Sequence, residues 1–279
     1  MMVQPYDDDH LLIVLQTDHS RVAGLLAAHW GNDTFAAPRP YASVVLAAQE
    51  HDQGWGDWEA RPTLDPQGYP IDYFGSTRPL GQVWLDFYTR GIERVARLDP
   101  YAGLLVLLHG VGLVNRGHGL LPYMPDYSDL PAVQDFIAAH ERRQQELLDT
   151  VRQSGQYGAE ADDARVWANY KLLQVFDQYA QFLCNRYPLT STARRAVPEA
   201  RLANVPVRYE GDASDVALEL TVLDETRAVL QPYPFDVSPL EIRYPARLLP
   251  RQPYPSEDAF LHDYYTAPSL TIAYTLQAA

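Results

Sequence analysis

The sequence predicts a mainly α fold, with a helical bundle over residues 1–200 and a strand-rich (α+β) extension over residues 201–279. Three observations predict it. Before residue 200, apolar residues recur at helical spacing in successive stretches, the mark of helices with one buried face. After residue 200, β-formers cluster or alternate instead. Several histidines and aspartates also fall on the apolar stripes of those helices, so the bundle would enclose a polar centre.

The first element, residues 11–16, is a short continuous apolar run and reads as a strand. Asp18 can cap the next element, a helix carrying Val22, Ala23, Leu26 and Trp30 on one stripe, with Gly31 and Asn32 as its stop. A second helix spans residues 41–51, with Val44, Val45 and Ala48 inward. Residues 56–79 form a loop rich in Pro, Gly, Asp and Tyr. It exceeds the roughly 12–15 residues of a plain connection, which suits a substrate-facing segment. Residues 80–98 read as an amphipathic helix. Asp99 followed by Pro100 is an N-cap with proline at the first helical position, opening a helix that carries Leu104, Leu105 and Leu108. Asp129 and Pro131 open the next, which reaches Arg152, and residues 161–186 form the last long helix. Strands are then expected at 205–209, 216–223, 228–231, 240–249 and 270–276, with a short helix at 256–265. The extension is expected to pack on the bundle and to leave room for pairing with the strand at 11–16, or for a homo-oligomer.

Composition narrows the function. A hydrophobic share of 47% with 21% charged residues is that of a globular chain. The formal charge of −14 excludes a nucleic-acid surface or an anionic membrane face, since both need positive charge. Lys171 is the single lysine, so Schiff-base chemistry has almost no candidate, and Cys184 stands alone, which rules out an internal disulfide and a cysteine-rich zinc site. The N-terminus lacks a basic stretch and the run at 11–15 is too short for a leader or a span. Residues 102–114 are apolar but contain His109 and several glycines, and read as a buried core helix. A cytoplasmic protein with a small-molecule substrate and no membrane is expected.

The chemistry is expected from His19, His51, Asp52 and Asp177. His19 lies one turn before Val22 and Ala23. His51 follows Val44 and Ala48, Asp52 follows Val45 and Ala48, and Asp177 shares a stripe with Leu173 and Ala180. A buried carboxylate needs a counter-charge. A divalent metal supplies one, because imidazole and carboxylate are its natural ligands. His109, His118 and His140 are further candidate ligands, while His29 is expected to cap a helix end.

In order, His19, then His51-Asp52, then Asp177 resembles the HD superfamily of metal-dependent phosphohydrolases. The stretch Ala47-Ala48-Gln49-Glu50-His51-Asp52-Gln53-Gly54 is similar to its apolar helix ending in His-Asp-x-Gly. Gln16-Thr17-Asp18-His19 and the text from His51 to Trp58 also resemble a bacterial family of uncharacterised proteins. The resemblance to the superfamily implies one or two divalent ions (Mn, Fe, Ni, Zn, Co or Mg) and hydrolysis of a small phosphoester or nucleotide-type substrate by a metal-activated water. Asp52, as proton acceptor or bridge, and His109 are the implied catalytic residues. Members usually carry lysine after His-Asp-x-Gly, where this chain has Trp55, and an arginine such as Arg61, Arg78 or Arg116 would have to take that role. Two alternatives accompany this reading: a di-iron oxygenase of the same fold acting on a small alcohol or phosphonate, and a catalytically degenerate ligand-binding scaffold.

Overall fold

The computed structural model describes residues 1–73, 82–121, 124–191, 200–209 and 215–279. Two strands open the chain, β1 (Met2–Pro5) and β2 (His10–Val14). Helices α1 (Gln16–Ala28) and α2 (Tyr41–Glu50) follow, then a 3-10 turn at Gln53–Trp55 that runs into the short α3 (Gly56–Glu59). Four longer helices come next: α4 (Gln82–Leu98), α5 (Pro100–Gly112), α6 (Pro131–Gln153) and α7 (Asp163–Cys184). The remainder is β3 (Arg201–Val205), β4 (Val216–Val222), β5 (Arg227–Gln231), β6 (Leu240–Pro250), α8 (Glu257–Thr266) and β7 (Ser269–Gln277). Arg78 lies outside the described residues.

The seven strands form one mixed sheet in the order β1-β2-β6-β7-β5-β4-β3. This corrects the mainly α expectation, because helices and sheet are both substantial and the sheet begins at residue 2. The strand expected at 11–16 is β2, while β1 escaped the sequence reading for a local reason. Met2-Val3-Gln4-Pro5 is short, ends in proline and shows little period-2 signal, yet Met2 pairs with Val14 and Pro5 with Leu11. Proline is tolerated there because β1 is an edge strand. β2 in turn pairs antiparallel with β6, Leu11 opposite Leu249. Contacts between such distant segments leave no local signature. β5 and β7 run parallel, and the other neighbouring strands run antiparallel.

Other elements depart from expectation by small shifts. The strand expected at 205–209 lies at Arg201–Val205, where Arg201 faces Glu219 and Val205 faces Val216 across a register shift. Asn204 in that shift has φ +58, a left-handed conformation that asparagine tolerates better than most residues. α1 begins two residues before Asp18 and is not capped by it. Glu59, arriving from α3, accepts the Gln16 and Thr17 backbone N–H groups at 2.5 and 3.3 Å instead. Asp99 does cap α5, accepting from the Ala102 N–H at 2.8 Å, and Ser256 caps α8 in the same manner.

One apolar cluster joins helices to sheet, with Leu26, Leu105 and Phe176 in the same core as Leu218, Ile242 and Tyr274. β6 alternates cleanly, with Leu240, Ile242, Tyr244 and Ala246 buried. α5 is buried along nearly its whole length and forms the axis of the helical layer. The sheet also holds the end of α7. Gln4 donates to the Cys184 carbonyl at 3.0 Å and accepts from the Tyr187 N–H at 3.0 Å, while the Tyr244 hydroxyl donates to the Leu183 carbonyl at 3.0 Å. These bonds satisfy carbonyls that a helix end leaves orphaned. They also tie the helix carrying Asp177 to β1 and β6. No helix among the described residues is long and apolar enough to cross a membrane.

Candidate metal centre

Three helices bring the expected residues together. His19 comes from the first turn of α1, His51 and Asp52 from the end of α2, and Asp177 from the middle of α7; all four are buried, Asp177 fully so. His19 Nε2 lies 3.0 Å from Asp177 Oδ1, and His19 Nδ1 lies 3.3 Å from Asp52 Oδ2. His51 Nε2 lies 3.3 Å from Asp177 Oδ1 and 3.6 Å from Asp52 Oδ2. His109, from α5, closes the group, its ring centroid 4.9 Å from that of His51.

The arrangement yields two overlapping groups able to hold a metal ion, His19/His51/Asp177 and His51/Asp52/His109, with ligand atoms within 4.8 Å of one another in each. The donor set fits a divalent cation. His51 Nδ1 is taken by the Ala48 carbonyl at 2.8 Å, which leaves Nε2 as the ligating atom. Nε2 and Asp177 Oδ2 are buried and find no hydrogen-bond partner among the described residues. Orphaned buried polar atoms are costly and rare. Here an imidazole nitrogen and a carboxylate oxygen of one candidate ligand group are left so among the described residues.

Electrostatics point the same way. Burial pushes the Asp177 carboxyl up, but its contacts with His19 and His51 outweigh this and hold it well below the usual carboxylate range. Asp52 is likewise lowered, by the His51 charge and the His19 contact against burial. Burial works against the His19 imidazolium, yet its two carboxylate partners raise it to about 10. Burial dominates at His109 and lowers it to about 4, so that ring is neutral. Without a metal, protons on imidazole supply the countercharge that two buried carboxylates require. A divalent ion can replace them.

The surrounding side chains orient the group. Tyr88 on α4 donates to Asp52 Oδ1 at 3.2 Å and accepts from the Trp55 indole N–H at 3.2 Å. Gln181 donates to Asp177 Oδ1 at 3.1 Å, and the Gln174 amide nitrogen lies 2.9 Å from His109 Nδ1. None of these three was singled out from sequence. Gln174 and Gln181 lie one turn before and after Asp177, a spacing that puts them on its face of α7. Tyr88 had no comparable signal. The turn after His51-Asp52 is packed against α4 so closely that a Cβ at Gly54 would lie 1.9 Å from the Phe87 carbonyl oxygen.

The remaining candidates lie apart from the centre. His118 Nε2 meets the Leu108 carbonyl at 3.1 Å, and its ring packs on Tyr170. His140 Nδ1 meets the Phe136 carbonyl at 2.7 Å. His29 is the C-cap residue of α1, with its ring on Asp236. Trp55 is buried in the core. Arg116 pairs with Asp126, and Arg61 is exposed.

A family described as protein of unknown function (DUF3891) matches residues 1–251. Neither the curated proteins nor the solved structures contain a match to this chain.

Proposed function

We propose that this chain, which belongs to the DUF3891 family of proteins of unknown function, is a metal-dependent hydrolase of HD type acting on a small phosphoester or nucleotide-type substrate. The observation that carries the reading is the meeting of His19, His51, Asp52 and Asp177, from three helices, with His51 Nε2 and Asp177 Oδ2 buried and without a hydrogen-bond partner among the described residues. His19, His51 and Asp177 would hold one ion. His51, with Nε2 as its one free nitrogen, serves a single ion, and Asp52 and His109 beside it are further donors.

When bound, a divalent ion would supply a Lewis acid that lowers the pKa of a coordinated water towards ~7. The chain's own residues do the rest. Tyr88 keeps its proton, because burial and the Asp52 charge raise its pKa well above the ordinary value, and so it fixes Asp52 as a hydrogen-bond donor. Asp52 is then aligned to accept a proton at Oδ2. His109, neutral at physiological pH, offers an uncharged nitrogen beside it. The buried, largely apolar surroundings keep bulk water from competing for these groups.

One observation favours a second reading. His109 extends the cluster beyond His19, His51 and Asp177, in a second grouping with Asp52 that shares His51 with the first. Two irons there would suit oxidation of a small alcohol or phosphonate with dioxygen. Elemental mass spectrometry of the purified protein, with His51→Ala and Asp52→Ala variants that remain folded, tests both. One or two equivalents of Mn, Ni, Zn or Co, lost in the variants, supports the hydrolase, and two of iron supports the oxygenase. No metal after reconstitution overturns both and leaves a ligand-binding scaffold.

A further inference from the structure

A cleft of about 200 Å³ opens between α7 and β3. It lies below the ~300–1,000 Å³ of pockets for drug-sized ligands, and suits something smaller. Its charge is unusual for this chain. In a protein of net charge −14 with one lysine, the cleft is lined by that lysine, Lys171, and by Arg201, and the described residues of its wall include no carboxylate, although Asp215 reaches Lys171 from beside it. Asn204, in its left-handed conformation at the β3 register shift, lines it too. Residues held in sparsely populated backbone regions gather at functional sites.

The cleft reaches the metal centre through one side chain. Gln174 lines it and is only 4% exposed, and its amide nitrogen lies 2.9 Å from His109 Nδ1. Its carbonyl oxygen is buried and has no hydrogen-bond partner among the described residues. Gln178, next to Asp177 in sequence, lines the same wall. Lys171 pairs with Asp215, whose side chain is 36% exposed. A carboxylate that wet exchanges for another oxyanion at little desolvation cost.

We infer that this cleft binds the oxyanion group of an anionic small-molecule substrate through Lys171 and Arg201, with Gln174 as the divider between that group and the metal centre. The inference rests on the metal-centre reading for what the anion is brought to, and not for the binding of the anion itself.

Calorimetric titration of the full chain with inorganic phosphate at low ionic strength tests it, alongside Lys171→Met, Lys171→Arg, Arg201→Gln and His51→Ala, with the metal content of each. Lys171→Met and Arg201→Gln should each weaken phosphate by about tenfold with metal content unchanged. Lys171→Arg should retain binding, and His51→Ala should lose metal but keep phosphate. No phosphate binding by the native protein overturns the inference. So does binding that survives both cleft variants but disappears in His51→Ala, since the phosphate would then sit on the metal. Lys171-dependent phosphate binding by a protein that takes up no metal supports the cleft while overturning the metal-centre reading.

Discussion

The Tyr88 hydroxyl stands between two buried groups, donating to Asp52 Oδ1 at 3.2 Å and receiving the Trp55 indole N–H at the same distance. The task of Trp55 is structural: through Tyr88 it steadies the aspartate of the His-Asp pair. Tyr88→Phe removes one donor from Asp52 and strands the Trp55 N–H in the core. The expected cost is about 1–3 kcal/mol, seen as a lower melting temperature in chelator. Metal affinity should fall about tenfold to a hundredfold, as for other groups that orient a ligand. Unchanged melting and affinity in Tyr88→Phe would refute the relay.

Gly54 is where backbone geometry governs the site. A Cβ there would meet the Phe87 carbonyl oxygen at 1.9 Å, and one at Gly91 would meet the Gly54 nitrogen at 2.9 Å. Both positions are glycine because α4 approaches the His51–Asp52 turn backbone to backbone. Gly54→Ala should therefore cost about 3 kcal/mol, the upper range for overpacking, and displace the metal ligands with it. Gly56 is a control. Its Cβ would lie 3.6 Å from the Thr17 methyl group, an ordinary contact, in right-handed helical backbone, so Gly56→Ala should be neutral or slightly stabilising. Equal melting temperatures for the two variants would sink the close-approach argument.

The helical half of the molecule was readable because its period is local. The stripes of Val44/Ala48/His51 and Leu173/Asp177/Ala180 turned polar residues inward, and burial of His51 and Asp177 follows from the same periodicity. The sheet was less readable. Each strand after residue 200 could be located to within a few residues, but the pairing of Leu11 with Leu249 and the parallel pairing of Ala228 with Leu276 depend on tertiary packing. So does β1, whose Gln4 looks like a polar residue in a tail and is in fact 4% exposed, clamped to the end of α7. His118 and His140 show the limit in the other direction. An inward histidine is equally well satisfied by a backbone carbonyl, and nothing in the spacing separates that case from a ligand.

Metal loading should stabilise the fold, because the ligands come from α1, α2, α5 and α7 and meet only when these helices are packed. At a hundredfold excess over the dissociation constant the gain is about 2.7 kcal/mol. For a chain of this size that corresponds to a rise in melting temperature of about 5–10 °C. Chelator should reverse it, and His51→Ala should show no rise. A melting temperature indifferent to Mn, Fe, Ni, Zn and Co would count against a site in this cluster.

His140 offers a pH response independent of the metal. It is buried on α6 against Phe136, ring centroids 4.0 Å apart, and its Nδ1 meets the Phe136 carbonyl. Burial lowers its pKa below the ordinary 6.5, with the carbonyl bond and the Glu93 charge opposing only in part. The unfolded chain thus binds this proton at a higher pH than the folded chain does. Stability from keeping the ring neutral is fully present above about pH 6.5 and is lost as the pH falls through the lower folded value. In chelator, the melting temperature of the native chain should drop on acidification below that point, and His140→Gln should flatten part of that drop. Identical slopes for the two proteins between pH 6.5 and 5 would mean that protonation of His140 is not coupled to unfolding.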